Sequence, residues 1–182
     1  MDHGESSYRR FLQGDRSGFE EIVRTYRDGL ILYLYGYVSD CHLAEDLCED
    51  TFFRLLVKKP RFDGRSTFKS WLYAIGKNLA LDHLRRAGRC ATVQYEGEYP
   101  HGDTPERKLL KEEQKARLYR ALQALKTEYR CALYLLYFEG FDMEQTAKAL
   151  GKTKHQTETL VWRAKNALKG KLEEEGFVYE EL

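Results

Sequence analysis

The segment FKSWLYAIGKNLALDHLRRAGR, residues 68–89, carries three side chains that could bind nucleic acid, at a regular spacing. Trp71, Asn78 and Arg85 recur every seven residues, so an α-helix would place them along one edge. An aromatic ring can stack on an unpaired base, an amide can read a base edge and a guanidinium can bind phosphate. The pattern is compatible with a helix that has one packing side and one DNA-binding side, and it is also typical of an ordinary amphipathic surface helix.

The segment FDMEQTAKALGKTKHQTETLVWRAK, residues 141–165, has the spacing of a helix-turn-helix. Asp142 with Gln145, and Thr153 with Gln156, are three residues apart, as in the capping boxes that begin helices. Gly151 lies between them, where left-handed backbone geometry would end the first helix. A short helix, a tight glycine-containing turn and a longer helix are typical of DNA-binding motifs, although some such pairs bind only protein.

Polar and aromatic side chains occupy the side of the second helix that is expected to face away from the core. In the major groove, the early residues of such a helix contact base edges. The candidates for base reading are His155, Gln156, Glu158 and Thr159, and the candidates for phosphate binding are Lys154, Arg163 and Lys165. Trp162 lies on the same side, either exposed for DNA or packed against the preceding helix.

The net charge of +1 conceals a strong segregation of charge along the chain. Residues 61–90 hold seven Lys or Arg against two Asp, and residues 152–171 hold six against one Glu. Residues 39–50 hold five acids and neither Lys nor Arg. The two separate basic patches indicate two contacts with a polyanion, with solvated faces as the alternative for any single run.

No residues in the sequence form a recognisable catalytic or metal-binding set. There is no nucleotide-binding glycine loop and no plausible triad, and the five His are dispersed. Cys41, Cys48, Cys90 and Cys131 lack a CxxC pair, and we interpret them as reduced thiols. The sequence therefore predicts a protein that is not an enzyme, with no catalytic residues, no metal and no cofactor.

The sequence also lacks the apolar segments that direct a chain into a membrane. No stretch approaches the roughly 18 apolar residues of a spanning helix. The start, MDHGESSYRRFLQG, lacks the apolar core of a signal peptide. We therefore expect a cytoplasmic protein with no direct membrane insertion.

These candidate sites have to be positioned by helices, because helical periodicity runs through almost the whole sequence. The apolar pattern predicts helices over 19–38, 42–59, 68–89, 106–125, 128–140, 142–150 and 154–175, with a shorter one around 8–12. Residues 88–105 hold two of the three Pro and have no helical period, which is typical of a linker. We predict an all-α fold of two small helical domains joined by a flexible linker, the second containing the helix-turn-helix.

The predicted domain boundaries follow from the same pattern. The first domain covers 1–87, the linker 88–108, the second domain 109–176 and an acidic tail 177–182. Two small domains on a flexible linker are expected to sample many arrangements.

The segments AEDLCEDTFFRLL, FKSWLYAIGKNLALDHLRR and the helix-turn-helix, in this order, resemble the extracytoplasmic-function group of bacterial sigma factors. The resemblance covers nearly all of residues 8–172. The pattern W-L-x-x-I-x-x-N-x-x-x-D-x-x-R, from Trp71 to Arg85, is highly specific to that group. The resemblance implies a protein that binds core RNA polymerase and directs it to chosen promoters, with promoter DNA and an anti-sigma protein as further partners.

The resemblance implies a role in promoter binding for each domain. The first domain would capture and melt the minus-ten element, and residues 61–68, RFDGRSTF, would receive a base flipped from the non-template strand. The minus-ten residues would be Arg61, Phe62, Arg65, Ser66, Thr67, Lys69, Trp71, Lys77, Asn78, Arg85 and Arg86. The residues that read the minus-thirty-five element as duplex would be Lys154, His155, Gln156, Glu158, Thr159, Trp162, Arg163 and Lys165.

The acidic run gains a role from the same resemblance. The residues that would bind the clamp coiled coil of the polymerase's largest subunit are Glu45, Asp46, Glu49, Asp50 and Phe53. Such an acidic surface needs a basic partner. The chain departs from the family at Glu49, where Gln is usual, at Glu158, where Lys is frequent, and at Leu160, where Arg is frequent. These departures leave the promoter sequence open.

Two other functions are compatible with parts of the sequence. A stand-alone helix-turn-helix repressor or activator would dimerise and bind duplex without polymerase, but the acidic run and the Trp71–Arg85 edge argue against it. A protein-binding adaptor with Cys41 and Cys48 as a redox sensor would be revealed by thiol titration with and without oxidant.

Overall fold

The computed structural model describes residues 3–88 and 117–174, and all regular structure in these residues is α-helical. The first domain contains α1 (His3–Leu12), α2 (Arg16–Val38), α3 (Cys41–Lys58) and α4 (Phe68–Ala87). The second contains α5 (117–123), α6 (Thr127–Tyr137), α7 (Met143–Leu150) and α8 (Lys154–Glu174). This confirms the predicted all-α class. Apart from Gly88, the predicted linker and the acidic tail lie outside the described residues, so the domain boundaries stay predictions.

Side-chain caps set where the helices of the first domain begin and end. The carboxylates of Asp15 and Asp40 and the hydroxyl of Thr67 accept hydrogen bonds from amides of the first turns of α2, α3 and α4. These contacts satisfy donors that have no partner within the helix. Ser39 and Lys59 adopt left-handed backbone angles that end α2 and α3. Because Asp15 caps the amino terminus of α2, this helix begins three residues before the predicted position.

The two domains share one hydrophobic core, contrary to the expectation that they sample many arrangements. Leu30 and Leu34 of α2 and Leu72 of α4 are fully buried. Leu135 and Leu150 from the second domain belong to the same buried cluster. The second domain therefore packs directly against α2 and α4 of the first.

Two glycines of α2 allow the second domain to approach this closely. A Cβ atom on Gly29 would collide with the carboxylate of Glu139, and one on Gly36 would lie 3.1 Å from the Sγ atom of Cys131. The guanidinium of Arg130 donates hydrogen bonds to the Gly36 carbonyl from Nε at 3.0 Å and from Nη2 at 2.7 Å. The interface is thus closed by backbone contact as well as by apolar packing.

The helix-turn-helix forms where its spacing predicted it. Asp142 and Gln145 make a reciprocal capping box at the start of α7, and Gly151 ends α7 with φ at 63°. Thr153 and Gln156 make the second reciprocal pair, at the start of α8. These local contacts fix the turn that presents α8 to solvent.

Candidate nucleic-acid interface

In the C-terminal half of α4, the predicted DNA-binding side chains are exposed to solvent. Asn78, Arg85 and Arg86 are all exposed. Arg85 Nη1 lies 2.8 Å from Asp82 Oδ1, and its side chain is still 72% exposed. An exposed ion pair of this kind contributes little to stability, so Arg85 can exchange Asp82 for a phosphate at low cost.

Trp71, the first residue of the same edge, is half-buried in an aromatic cluster. Its ring centroid lies 5.5 Å from Tyr8, 5.2 Å from Phe62 and 5.5 Å from Phe68. These tilted contacts hold the indole against the loop that precedes α4. Trp71 therefore has a packing role in addition to the part of its surface that remains accessible.

Lys69 and Lys77 of α4, which are both half-buried, contact the second domain. Lys69 Nζ lies 2.7 Å from Glu139 Oε2 and donates to the Glu139 carbonyl at 2.9 Å. Lys77 Nζ donates to the Leu150 carbonyl at 2.7 Å, at the carboxyl end of α7. Burial lowers the pKa of Lys77. In this arrangement the two lysines that the sequence assigned to DNA are occupied by protein.

Glu139 is a contact residue between the domains that the sequence did not reveal. Besides Lys69, its carboxylate accepts hydrogen bonds from Tyr73 at 2.8 Å and from Tyr134 at 2.9 Å. Its side chain is only 11% exposed. Burial, and then the neighbouring carboxylate, raises the pKa of Tyr73, so the phenol stays a donor. We call Glu139, Lys69, Tyr73 and Tyr134 the Glu139 cluster.

The loop before α4, residues 60–67, places its charged groups outward. Arg61 and Arg65 are exposed, whereas Phe62, Ser66 and Thr67 are half-buried. Thr67 and Ser70 link the end of the loop to α4 through a hydroxyl–hydroxyl hydrogen bond of 2.9 Å. Phe62 connects the loop to α4, because its ring packs on that of Trp71.

The free side of α8 carries the other predicted DNA-binding residues. All of them are exposed except Thr159, which is half-buried: Lys154, His155, Gln156, Glu158, Thr159, Trp162, Arg163 and Lys165. Trp162 is 66% exposed, so the alternative in which it packs against the preceding helix is wrong. Lys165 Nζ lies 5.6 Å from the centre of the Tyr137 ring. This cationic surface is accessible along its length.

Two residues of α8 have local roles that limit what they can read. The Gln156 side-chain oxygen accepts from the Thr153 amide at 2.9 Å, so only its NH₂ group is free for a base. Leu160 is buried, which explains why an apolar residue stands where the family often has Arg. His155 Nδ1 lies 3.9 Å from Glu158 Oε2, and both side chains face solvent.

The acidic surface of α3 is accessible to solvent. The predicted polymerase-binding residues are all exposed: Glu45, Asp46, Glu49, Asp50 and Phe53. None of these four carboxylates pairs with a Lys or Arg within residues 3–88 and 117–174. Leu56 and Val57 extend the apolar part of this surface next to Phe53. Unpaired carboxylates beside exposed apolar groups are suited to a basic protein partner.

The thiols do not support a redox sensor built from Cys41 and Cys48. Cys48 is buried, and burial raises its pKa to about 12. A neutral, buried thiol is a poor nucleophile and reacts slowly with oxidants. Within the described residues, no three His, Cys, Asp or Glu side chains are grouped as metal ligands, and no helix has the length and apolarity to span a membrane.

Comparison with known proteins finds similarity along most of the chain. The sequence model of "Sigma-70 region 2" matches residues 22–90, and that of "Sigma-70, region 4" matches residues 115–168. The RNA polymerase sigma-H factor of Pseudomonas aeruginosa is 28% identical over 170 residues, which cover 87% of this chain and 88% of that protein. The ECF RNA polymerase sigma factor SigW of Bacillus subtilis is 26% identical over 171 residues, which cover 88% and 91%.

Solved structures show the same fold. The sigma factor RpoE of Bartonella quintana, in complex with the anti-sigma factor NepR, has a TM-score of 0.70 at 24% identity, covering 85% of this chain and 96% of that one. CnrH in complex with the cytosolic domain of CnrY has a TM-score of 0.69 at 22% identity, covering 94% and 98%. The likeness extends over both helical domains.

Proposed function

The chain belongs to the extracytoplasmic-function group of the sigma-70 family, and from this premise we propose how its surfaces carry out promoter-specific initiation. It is an alternative sigma factor, a regulatory subunit that binds core RNA polymerase and directs transcription to chosen promoters. We propose that separate surfaces bind polymerase and the two promoter elements. The observation that best supports this is the presence of three separate exposed surfaces: acidic α3, the polar edge of α4 and basic α8.

The surface of α3 is the polymerase-binding site in this proposal. Its exposed carboxylates attract a basic partner at long range, and Phe53 supplies apolar area at the contact. Glu49 is an acidic residue where the family usually has a neutral amide, so the contact should be more sensitive to salt than in relatives with Gln.

The edge of α4 and the loop 60–67 form the minus-ten site. Asn78 reads or holds an exposed base edge, Arg85 binds a phosphate, and the loop receives a base that has left the duplex. Unstacking a base costs a few kcal/mol, which is offset by the contacts that the extruded base makes. Residues of α8 form the minus-thirty-five site, with Glu158 as an acceptor for a cytosine amino group in the major groove.

This function requires the closed arrangement of the domains to open. By their names, the two promoter elements lie about 25 base pairs apart, which corresponds to about 85 Å of duplex at 3.4 Å per pair. The 20-residue helix α4 is only about 30 Å long, and the second domain packs directly on it. The closed form cannot contact both elements at once, so we expect free protein to bind promoter duplex weakly and polymerase to favour the open form.

An anti-sigma protein is the second partner that we propose. RpoE, which has a similar fold, was solved in complex with the anti-sigma factor NepR. A partner of this kind would cover the polymerase- and DNA-binding surfaces, and it would act in the cytoplasm, where we place this protein.

Reconstituted transcription tests the proposal. Core RNA polymerase and the purified chain are supplied with a library of promoter sequences, and initiated transcripts are sequenced. Asn78→Ala and Arg85→Ala should impair open-complex formation, measured by permanganate footprinting of unpaired thymines, whereas Asn166→Ala, an exposed amide on α8, should have a smaller effect on melting. Failure to initiate from any promoter in the library would overturn the proposal.

A stand-alone helix-turn-helix regulator is not favoured by these surfaces. Binding to duplex DNA does not require an acidic surface like that of α3. Such a regulator would also bind duplex as a dimer without polymerase. Sedimentation of the protein with duplex DNA in the absence of polymerase would reveal that behaviour.

A further inference from the structure

Helix α1 makes a specific contact with the loop that precedes α4. The Tyr8 side chain is 2% exposed, and its hydroxyl donates a 2.7 Å hydrogen bond to the Pro60 carbonyl, 52 residues away in sequence. Burial raises the pKa of Tyr8 to about 12, so the phenol keeps its proton at any ordinary pH. Pro60 is the first residue of the loop 60–67, so this bond fixes where the loop begins.

The ring of Tyr8 also contacts the far end of the same loop. Its centroid lies 5.4 Å from that of Phe68, the first residue of α4, and 5.5 Å from that of Trp71. Phe62, inside the loop, completes the cluster by packing on both Phe68 and Trp71. One side chain of α1 therefore holds the start of the loop by a hydrogen bond and its end by aromatic packing.

The backbone of α1 is placed for this contact by a glycine. Gly4, one turn before Tyr8, is buried, and a Cβ atom there would lie 2.5 Å from the ring of Phe68 and from the hydroxyl of Tyr26. A larger residue would push α1 away from α4. The sigma-70 region 2 match begins at residue 22, so α1 lies outside the segment that the family model describes.

We propose that Tyr8 is a positioning residue for base capture: from α1, it holds the loop 60–67 in the shape that receives the extruded minus-ten base. The inference rests on the proposed function of that loop. A loop that must be ordered before it can bind loses affinity through conformational entropy, and contacts that order it in advance remove that cost. Tyr8 supplies such contacts without touching DNA, because it is buried.

The experiment compares Tyr8→Phe with Tyr33→Phe in polymerase holoenzyme. Both substitutions remove one buried hydroxyl from the first domain; that of Tyr33 lies 3.1 Å from the Tyr37 hydroxyl in the core. The measurement is binding to a single-stranded minus-ten oligonucleotide, first with the preferred sequence and then with the captured base replaced. The ratio of the two affinities reports base discrimination, and thermal unfolding reports stability.

Tyr8→Phe should lower base discrimination about fivefold, the effect expected for one hydrogen bond, while Tyr33→Phe retains it at a similar melting temperature. Unchanged discrimination in Tyr8→Phe, or an equal loss in both variants, would overturn the positioning role. If wild-type holoenzyme melts promoters but does not discriminate at the captured base, the positioning role fails and the sigma function stands. If wild-type holoenzyme neither binds the oligonucleotide nor initiates, the proposed function fails with it.

Discussion

Replacing Glu139 with Gln should open the protein without unfolding either domain. The carboxylate accepts hydrogen bonds from Tyr73 and Tyr134 and forms an ion pair with Lys69, and the glutamate side chain is nearly buried. Glutamine has the same shape but no charge, and its oxygen can serve only part of these donors. The substitution therefore weakens the contact between the domains and leaves the helices of each domain intact.

The size of the effect follows from the same contacts. A hydrogen bond to a charged group contributes about 1.5–3 kcal/mol, and breaking a buried ion pair costs about 3–5 kcal/mol. Lys69 is 28% exposed and can turn to water, which reduces the loss. We therefore expect Glu139→Gln to weaken the contact between the domains by about 2 kcal/mol. This loss shifts the ratio of open to closed molecules about 30-fold toward the open form.

Small-angle X-ray scattering measures this shift directly. Glu139→Gln should have a larger radius of gyration than the wild type, with unchanged helix content by circular dichroism. The matched control is Glu144→Gln, which neutralises an exposed glutamate in the first turn of α7. If Glu139→Gln and Glu144→Gln both scatter like the wild type, the Glu139 cluster does not hold the domains together and the reasoning is refuted.

Three further predictions concern the exposed surfaces and the thiols. Glu158→Gln should change promoter preference at a single base pair of the minus-thirty-five element, by about 1–3 kcal/mol, in the transcription assay on the promoter library; a change spread evenly over all positions would contradict base reading. Asp46→Lys should weaken binding to core polymerase in a titration at low salt and have less effect at high salt, whereas Glu144→Lys should leave this affinity unchanged; equal losses would argue against a specific α3 contact. In folded protein at pH 8, Cys41 should react quickly with a thiol reagent and Cys48 only after unfolding, because burial raises the pKa of Cys48 to about 12, as peptide mass spectrometry can establish; rapid labelling of Cys48 would contradict its burial.

The sequence predicted the helices and the helix-turn-helix because their signals are local. Asp142 and Gln145 are three residues apart, and Gly151 is the residue type that left-handed geometry favours. The exposed edge from Asn78 to Arg85 also follows from period alone. Trp162 remained ambiguous, since the wheel position of a residue does not say whether a neighbouring helix covers it.

The contact between the domains could not be predicted in the same way. Lys69 and Glu139 are 70 residues apart, and no periodicity connects them. The sequence around a lysine on a polar helix edge looks the same whether the lysine binds a DNA phosphate or a carboxylate of another domain. Tyr8 likewise reaches Pro60 through the tertiary fold, so the sequence indicated only a short helix around it.

The positions of Lys69 and Lys77 have a consequence for ionic conditions. In the closed form the second domain binds both ammonium groups: Lys69 forms an ion pair with a carboxylate, and Lys77 donates to a carbonyl at the carboxyl end of α7. If the domains separate as proposed, both lysines would be available to displace condensed cations from single-stranded DNA, each making the slope of log affinity against log salt about 0.7 more negative. Promoter engagement by the opened protein should thus respond to cellular potassium more steeply than the accessible charges of the closed molecule would indicate.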